Sequence, residues 1–346
     1  MLKWYEEAAK NSDVVISSRI RLARNLKSYP FSAKLSEIQA HELVHKVKEA
    51  SATIELKSSI KFNSCSVESL SDSDKTAMVE RHIISPLFTS KEQSTGLILS
   101  EDEKISIMIN EEDHLRIQSI TGGMNIGEAF HTANMIDDIA SELFCYAFHE
   151  KYGYLTSCPT NVGTGLRASY MLFLPALTIA GKIIKLTEEL GQYGIALRGT
   201  YGEASKSVGR LYQISNQNTL GSTELEIIEG LNRIVEQVMK HERRQREYML
   251  TNSYDELEDK VHRSYGVLRY AKQLSSNDAM TLLAQLKLGL DMDLIQLGDN
   301  YNVHELMMEI QPGNLQCKLD KNVGSVQRDR YRAAYIRKKL PEISVE

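Results

Sequence analysis

The chain has 346 residues, of which 42% are hydrophobic and 25% are charged. This length and composition predict a globular protein with a buried core and two domains. The formal net charge of −5 excludes the strongly basic class of nucleic-acid-binding proteins, so we expect no direct nucleic-acid partner. The first residues are polar and acidic, and no apolar run reaches the length of a membrane span, so we expect a cytoplasmic chain with no membrane partner.

The four cysteines form no Cys-x-x-Cys pair. Such pairs are typical of zinc sites, and a high density of cysteines in a short secreted chain is typical of a disulfide framework. Neither pattern is present in the sequence, so we expect free thiols at Cys65, Cys145, Cys158 and Cys317.

Short runs in which apolar and polar residues alternate predict β-strands in the first part of the chain. The predicted strands cover residues 13–20, 96–100, 105–109 and 115–120, and a helix is predicted over residues 135–149. From Thr223 onward the apolar residues recur with a helical period. The sequence therefore predicts an α+β domain over residues 1–240 and an all-helical domain over residues 241–346, whose apolar stripes favour a homodimer.

Residues 110–116, Asn-Glu-Glu-Asp-His-Leu-Arg, place three consecutive carboxylates directly after the half-buried strand predicted over residues 105–109. Packing does not require such a cluster. Beyond it, a period of two places His114, Arg116 and Gln118 on one face of the next strand. Carboxylates suit a cationic substrate or a hydrated metal ion, whereas an arginine suits phosphate. The two groups together suggest phosphoryl transfer that involves a cation.

Two further segments combine arginine with an extended or glycine-rich backbone. In residues 17–21, Ser-Ser-Arg-Ile-Arg, an extended backbone directs Arg19 and Arg21 to the same side. This pair is either an anion clamp or a solvated pair on an exposed strand. In residues 198–203, Arg-Gly-Thr-Tyr-Gly-Glu, the glycines fit a mobile turn that lets Glu203 close over a substrate, or an ordinary surface turn.

A fourth segment, the loop over residues 158–167, has the sequence Cys-Pro-Thr-Asn-Val-Gly-Thr-Gly-Leu-Arg. Gly163 and Gly165 would let backbone amides approach a ligand closely, although a purely structural turn is the alternative. It is not a Walker loop, because no Gly-Lys-Ser/Thr follows. Cys158 lies far from any apolar periodic run, so it is either a thiolate beside a cationic substrate or an inert loop cysteine.

In sequence order, these four segments resemble the signature blocks of the ATP:guanidino phosphotransferases, the phosphagen kinases. The resemblance covers residues 10–240 and implies a glutamine-synthetase-like antiparallel sheet flanked by helices, with ATP and Mg²⁺ as cofactors. It also implies that His82 lies against the nucleotide and that five arginines surround its phosphates in place of a Walker lysine. The five are Arg19, Arg21, Arg116, Arg167 and Arg198.

The same resemblance gives roles to other residues of the blocks. Glu111 would reach Mg²⁺ through water, while Glu112 and Glu203 would grip the acceptor guanidinium with Cys158 beside it. A guanidinium is planar and permanently charged at neutral pH, so carboxylates must orient it and accept its proton. Further ATP contacts are implied at Ser17, Ser18, Ile20, Ala168, Ser169, Tyr170, Met171, Gly199, Thr200, Tyr201, Gly202 and Glu203.

Within that family, the chain most resembles the bacterial protein-arginine kinases, whose acceptor is an arginine side chain of another protein. Only sixteen residues precede Ser17, where creatine and arginine kinases have a helical domain that helps to enclose a small substrate. The helical extension carries Arg-Asp-Arg-Tyr-Arg-Ala, which matches that subfamily's phosphoarginine-recognition motif. Binding of phosphoarginine is thus implied at Arg328, Asp329, Arg332 and Ala333; a solvated basic helix is the alternative.

The resemblance therefore predicts an ATP- and Mg²⁺-dependent protein-arginine kinase with a dimerising helical domain that binds phosphoarginine. By family analogy, its partners would be proteins with exposed arginines, an activator protein and a Clp unfoldase and protease that handle the marked proteins during stress. Two alternatives stay open. One is a kinase of free arginine or another small guanidine, and the other is a non-catalytic phosphoarginine-binding adaptor.

Overall fold

The computed structural model describes residues 2–7, 11–200, 207–298, 301–319 and 322–343. Their main feature is one antiparallel sheet, with a separate two-stranded hairpin formed by β6 (Phe148–His149) and β7 (Gly153–Tyr154). The sheet contains β1 (Val15–Arg24), β2 (Phe62–Ser66), β3 (Gly96–Ser100), β4 (Ile105–Ile109), β5 (Leu115–Gly122), β8 (Leu166–Phe173), β9 (Ile195–Gly199) and β10 (Leu211–Asn216). Its strand order is β2-β3-β4-β5-β1-β8-β10-β9.

Helices flank this sheet and then form the C-terminal part of the chain. The first group comprises α1 (Glu37–Ser58), α2 (Asp72–Glu80), α3 (Pro86–Thr89), α4 (Ile126–Leu143), α5 (Pro175–Ile179), α6 (Ile183–Gln192) and α7 (Glu224–Asn252). The second comprises α8 (Tyr254–Tyr270), α9 (Ser276–Asp291), α10 (Val303–Glu309), α11 (Pro312–Cys317) and α12 (Ser325–Lys339). The predicted fold class, an antiparallel sheet flanked by helices with a helical C-terminal part, is confirmed. No helix in the described ranges is both long and apolar enough to cross a membrane.

Local sequence explains where the two longest helices begin. At the start of α1, the Ser36 hydroxyl accepts the backbone N–H of Gln39, whose side chain accepts the N–H of Ser36 in return. Thr223 and Glu226 form the same reciprocal pair at the start of α7. Each capping box satisfies backbone donors that have no partner within the helix.

One face of the sheet is apolar and is covered by α1, α4, α6 and α7. Ile20, Leu22 and Ile117 are fully buried on this face. Because side chains alternate along a strand, the residues between them point to the opposite face. Arg19 and Arg21 of β1 and Arg116 and Gln118 of β5 are therefore directed away from the main core.

The C-terminal helices pack against one end of that opposite face. Ile120 and Phe173 of the sheet belong to the same buried cluster as Leu283 and Met307 of α9 and α10. The helical part thus shares a core with the sheet. The division predicted at residue 240 falls inside α7, which is continuous from Glu224 to Asn252.

Each predicted strand corresponds to an observed one, although the strand predicted over residues 13–20 begins at Val15 and ends at Arg24. Residues 96–100 and 105–109 are the strands β3 and β4. The prediction that β4 is half-buried is wrong, because Met108 packs on its second side against Ile83 and Phe88. The helix predicted over residues 135–149 instead begins at Ile126 and ends at Leu143.

Candidate active site

The polar face of the sheet carries a row of arginines across neighbouring strands. Arg21 lies opposite Gln118 on β5 and opposite Arg167 on β8, and Arg19 lies opposite Ser169. Residues directly opposite each other in an antiparallel pair share a face. The pairing of β10 with β8 and β9 continues the row. This arginine face comprises Arg116, Gln118, Arg19, Arg21, Arg167, Ser169, Ser215, Gln213 and Arg198.

The arginine face concentrates positive charge in a buried place. Burial, followed by repulsion from Arg116 and Arg167, lowers the pKa of Arg19 to about 9. The same causes, with Arg19 added, lower the pKa of Arg21. Arg19 donates from Nη2 to the neutral Oε1 of Gln213 at 2.7 Å, and Arg21 Nε is buried without a hydrogen-bond partner among the described residues. Such an array is stabilised by a polyanion such as a polyphosphate.

Glu111 is a buried carboxylate at the edge of this face. Its Oε1 lies 2.5 Å from Nη1 of Arg116 and accepts the hydroxyl of Ser85 at 2.5 Å. Its Oε2 accepts the backbone N–H of Glu112 at 2.6 Å. Burial alone would raise the pKa of Glu111, but Arg116 and these hydrogen bonds hold it below its usual value. The group is therefore ionised at neutral pH.

Glu112, the next residue, is exposed, and its pKa is shifted in the opposite direction. Burial of part of the carboxyl, opposed by Arg116 but reinforced by Asp113 and Glu111, raises the pKa of Glu112. The Cys158 side chain hydrogen-bonds to this carboxylate, and Asn161 Nδ2 lies 3.4 Å from its Oε2. The Sγ atom of Cys158 also lies 3.0 Å from Thr160 Oγ1. The structure thus brings two of the predicted catalytic residues together.

Asp113 has a structural role that the sequence did not predict. Its Oδ1 accepts Asn25 Nδ2 at 2.6 Å and the backbone N–H of Ser157 at 2.6 Å. Asn25 in turn accepts the N–H of His114 at 2.9 Å. Asp113 therefore ties the Glu112 turn to the loop that carries Cys158. The only sequence signal was its place as the third carboxylate of the run.

His82 is buried beside the arginine face, in a left-handed backbone conformation with φ of 60°. Its carbonyl accepts Gln118 Nε2 at 2.8 Å. Burial, followed by the positive charge of Arg19, lowers the pKa of His82 to about 3. The imidazole is therefore neutral, as a flat ring that packs against a nucleotide can be.

Several residues of the predicted blocks lie on the opposite, apolar face of the sheet. Ser18 donates to the Gly123 carbonyl at 2.6 Å and accepts the N–H of Asn125 at 2.8 Å. Tyr170 donates to Asn232. Ile20, Ala168 and Tyr170 all belong to the main core.

The remaining members of the blocks divide into three groups. Ser17, Ser169 and Met171 lie in register on the arginine face. Gly199 ends β9, and the Thr200 hydroxyl after it donates to the Leu211 carbonyl at 3.2 Å. Tyr201, Gly202 and Glu203 lie outside the described residues.

The two loop glycines are required by the chain's own packing. A Cβ on Gly163, whose φ is +115°, would lie 2.3 Å from the Thr219 carbonyl oxygen. A Cβ on Gly165, whose φ is +64°, would lie 2.7 Å from the Ala23 carbonyl oxygen. The space beside these glycines is therefore filled by backbone, so the structural alternative explains them.

The predicted phosphoarginine motif lies in the first half of α12. Arg332 is buried and donates to the carbonyls of Ile310 at 2.8 Å and Leu274 at 3.0 Å, and it pairs with Asp329. Ala333 is part of the C-terminal core. Arg328 Nε is buried without a hydrogen-bond partner among the described residues. Arg332 and Ala333 therefore hold the helix in place, while Arg328 has unused hydrogen-bonding capacity.

The donor set near Glu111 fits a hydrated magnesium ion held mainly by phosphates. Within the described residues, no three histidine, cysteine or acidic side chains are grouped as metal ligands. Magnesium retains several waters and takes one or two carboxylates together with substrate phosphates. An ionised Glu111 beside the arginine face would fit that requirement.

A face of arginines beside paired carboxylates defines the class of this protein, an ATP-dependent phosphotransferase. The family model described as ATP:guanido phosphotransferase, C-terminal catalytic domain, matches residues 42–245. A second model, described as the Protein-arginine kinase McsB C-terminal domain, matches residues 254–346. The chain belongs to the ATP:guanido phosphotransferase family.

Sequence relatives agree with this assignment over nearly the whole chain. A relative from Exiguobacterium named protein-arginine kinase is 43% identical over 97% of this chain and 95% of its own length. One from Brevibacillus brevis with the same name is 40% identical over 97% of this chain and 94% of its own length.

Solved structures support the fold alone. A duplicated taurocyamine kinase from Schistosoma mansoni has a TM-score of 0.60 at 24% identity, and the match covers 72% of this chain but only 37% of that one. A lombricine kinase has a TM-score of 0.56 at 22% identity and covers 70% of this chain and 69% of its own. The sheet and its flanking helices therefore belong to the phosphagen kinase fold.

Proposed function

We propose that this enzyme transfers the γ-phosphoryl group of ATP to arginine side chains of proteins. The observation that carries the proposal is the contrast between the arginine face, which suits a polyphosphate, and the exposed carboxylate of Glu112 at its edge, which suits a guanidinium. The relatives named protein-arginine kinase favour a protein over a small molecule as the acceptor.

Arg19, Arg21, Arg116, Arg167 and Arg198 would bind the phosphates and neutralise charge that develops on the transferred group. Glu112 would orient the acceptor guanidinium and accept the proton that its nitrogen loses as the new N–P bond forms and the bond to ADP breaks. The raised pKa of Glu112 favours proton acceptance. Mg²⁺ bound with ATP would neutralise phosphate charge, and Glu111 would hold one of its waters.

Two more residues belong to the acceptor site in this proposal. Cys158 would help Glu112 to orient the guanidinium, because its side chain already contacts that carboxylate. Glu203 would supply the second carboxylate, and it is assigned from the family resemblance alone. The ATP role of His82 rests on its position beside Arg19 and Arg21.

We further propose that Arg328 and Asp329 contact phosphoarginine, while Arg332 and Ala333 fix the helix that presents them. The buried and unused Nε of Arg328 supports this division. Homodimer formation, an activator protein, delivery of marked proteins to a Clp unfoldase and protease, and a cytoplasmic location in a stress response are further parts of the proposal. They follow from family analogy.

The first test is incubation with ATP and Mg²⁺ of an intact protein substrate, a matched substrate with every arginine replaced by lysine, and free arginine. Mass spectrometry under non-acidic conditions preserves the N–P bond and locates the phosphate. We expect phosphate on arginines of the intact protein and none on the lysine-substituted one. Phosphate found on free arginine but never on protein would indicate a small-guanidine kinase instead.

The second test compares Glu112→Gln with Glu188→Gln, which changes an exposed glutamate of α6. Loss of the proton acceptor is expected to lower kcat by about 100-fold or more, whereas the control retains full activity. Phosphoarginine binding that persists without any kinase activity in the unsubstituted protein would instead support the adaptor alternative.

A further inference from the structure

A cleft lies on the helix-covered side of the molecule, away from the arginine face. Its volume is about 770 Å³, and its walls are the α5–α6 corner and the second half of α7. Leu177, Ala180 and Leu186 give it an apolar floor. None of the residues that line it belongs to the candidate active site. We call it the basic cleft.

The walls of the basic cleft are fixed by buried contacts. The fully buried carboxylate of Glu242 on α7 accepts the backbone N–H groups of Ala176 and Leu177 on α5, each at 3.0 Å. Glu242 also accepts Arg246 Nε at 2.8 Å. At the rim, Lys182 Nζ donates to Gln245 Oε1 at 2.6 Å and joins the two walls. The cleft is thus formed in advance, so binding there requires little ordering.

The rim carries more positive than negative charge among the residues that line the cleft. Lys182, Lys185 and Arg244 face the cleft, with Glu189 as the opposing carboxylate among its lining residues. Lys185 Nζ lies 3.8 Å from Glu189 Oε1, and both side chains are exposed, so that pair contributes little. Arg244 has no hydrogen bond or ion pair within the described part of the chain. A chain with a net charge of −5 therefore presents a local cationic rim over an apolar floor.

We propose that the basic cleft binds an acidic segment of a partner protein in which apolar side chains alternate with carboxylates. The apolar side chains would occupy the floor, and the carboxylates would pair with Lys182, Lys185 and Arg244. Tyr248, which is 62% exposed at the rim, would cover the apolar part of such a segment. An inorganic polyphosphate has charge but no apolar group for the floor, and a DNA duplex presents its phosphates while its bases stay stacked inside.

The test uses a fluorescein-labelled synthetic peptide of leucine, alanine and glutamate, with binding measured by fluorescence anisotropy on the full-length enzyme. The double variant Lys185→Glu, Arg244→Glu leaves the Lys182–Gln245 contact in place. It is expected to bind at least about tenfold more weakly than the unsubstituted enzyme. The matched control, Lys260→Glu with Arg263→Glu, makes the same charge change on exposed positions of α8. It should bind within about twofold of the unsubstituted enzyme.

A second variant separates the two parts of the proposal. Tyr248→Ala should weaken peptide binding without changing its dependence on salt, because it removes apolar contact and no charge. Kinase activity and the thermal unfolding midpoint of each variant should match the unsubstituted enzyme, since the cleft lies on the other side of the sheet. These measurements also show that the variants are folded.

Three results would overturn the proposal. The first is equal peptide affinity for the cleft variant and the α8 control. The second is equal binding of a glutamate-only peptide, which would show that the apolar floor contributes nothing. The third is that a DNA duplex or phosphatidylserine vesicles bind more tightly than the peptide and that the cleft variant loses this binding. That result would assign the site to another class of partner.

Discussion

At the scale of single residues, the two adjacent glutamates of the site differ because their neighbours differ. Arg116 and Ser85 contact Glu111 and lower its pKa. The pKa of Glu112 is instead raised, by burial and by two neighbouring carboxylates. One carboxylate thus keeps its charge while the next one is closer to accepting a proton. The sequence predicted both roles, but it could not reveal the contacts that separate them.

Asp113→Asn tests whether Glu112 controls the acid side of the activity profile. Asp113 is one of the charges that raise the pKa of Glu112, and an amide oxygen can still accept Asn25 and Ser157. We expect the acid limb of kcat/KM to move to lower pH, because one of the negative charges that raise the pKa of Glu112 is removed. Asp259→Asn on the exposed face of α8 is the control. An unmoved limb would mean that another group titrates there.

Asp113→Ala tests the same residue as a positioning group. Without this acceptor, the N–H of Ser157 loses its partner and Asn25 Nδ2 keeps only the Leu155 carbonyl. This loss costs about 1–3 kcal/mol of unfolding free energy. The Glu112 turn and the Cys158 loop would then separate, and we expect kcat to fall about tenfold or more while KM for ATP changes little. Equal kinetics for the Ala and Asn variants would contradict a positioning role.

The residues that sequence reasoning missed are those whose partners are distant in the chain. Asp113 contacts Asn25 and Ser157, and Ser85 contacts Glu111. A motif reports which side chains are adjacent along the backbone, and it carries no information on contacts formed by strand order. The roles of both residues were therefore beyond prediction from one sequence.

At the scale of elements, alternation along β1 correctly predicted that Arg19 and Arg21 share a face. It could not predict that β5 and β8 would be the neighbours of β1, since each pairing joins segments about 100 or 150 residues apart. Register then decides that Arg167 lies opposite Arg21. Period two is a local property, whereas strand order depends on the whole fold.

Two helical glycines give a matched test of element packing. Gly289 of α9 lies against α8, and a Cβ there would be 2.3 Å from Val261 Cγ1, whereas a Cβ on Gly230 of α7 would meet nothing within 4 Å. We expect Gly289→Ala to destabilise the fold by about 2 kcal/mol through overpacking, despite better helix propensity. Gly230→Ala should stabilise it by about 0.5–1 kcal/mol. Urea denaturation measures both, and a gain at both sites would contradict the close contact.

At the scale of the whole molecule, the N-terminal segment, the sheet and the C-terminal helices meet around Trp4. Its ring lies 6.2 Å from that of His82 and 5.9 Å from that of His304, and its Nε1 donates to the Arg81 carbonyl at 3.2 Å. Both ring nitrogens of His304 are buried without a hydrogen-bond partner among the described residues. This junction is therefore sensitive to protonation.

His304→Leu tests that sensitivity. Burial, followed by the positive charge of Lys287, lowers the pKa of His304 from 6.5 to about 3. The folded protein therefore keeps this ring neutral while the unfolded chain protonates it, so stability is full above pH 6.5 and is lost as the pH falls toward 3. The His304→Leu variant has no ring to protonate, so it does not lose stability in this way. We expect its stability relative to the unsubstituted enzyme to rise by about 2 kcal/mol between pH 8 and pH 5.

The control for this pH series is His131→Leu on the exposed side of α4. Its side chain is exposed, so it provides the same His-to-Leu change at the surface. Chemical denaturation at each pH gives the comparison. The difference in unfolding free energy between His304→Leu and the unsubstituted enzyme could also stay constant from pH 8 to pH 5. That result would show that the buried ring does not take up a proton on unfolding.

The core shared by the sheet and the C-terminal helices has a consequence for limited proteolysis. A single exposed residue, Ser253, separates α7 from α8, so a protease recognition sequence inserted there would allow the chain to be cut at this junction. Denaturing gels would then show two bands. Size-exclusion chromatography would still show one particle, because the Ile120, Phe173, Leu283 and Met307 cluster binds the fragments together without a covalent link.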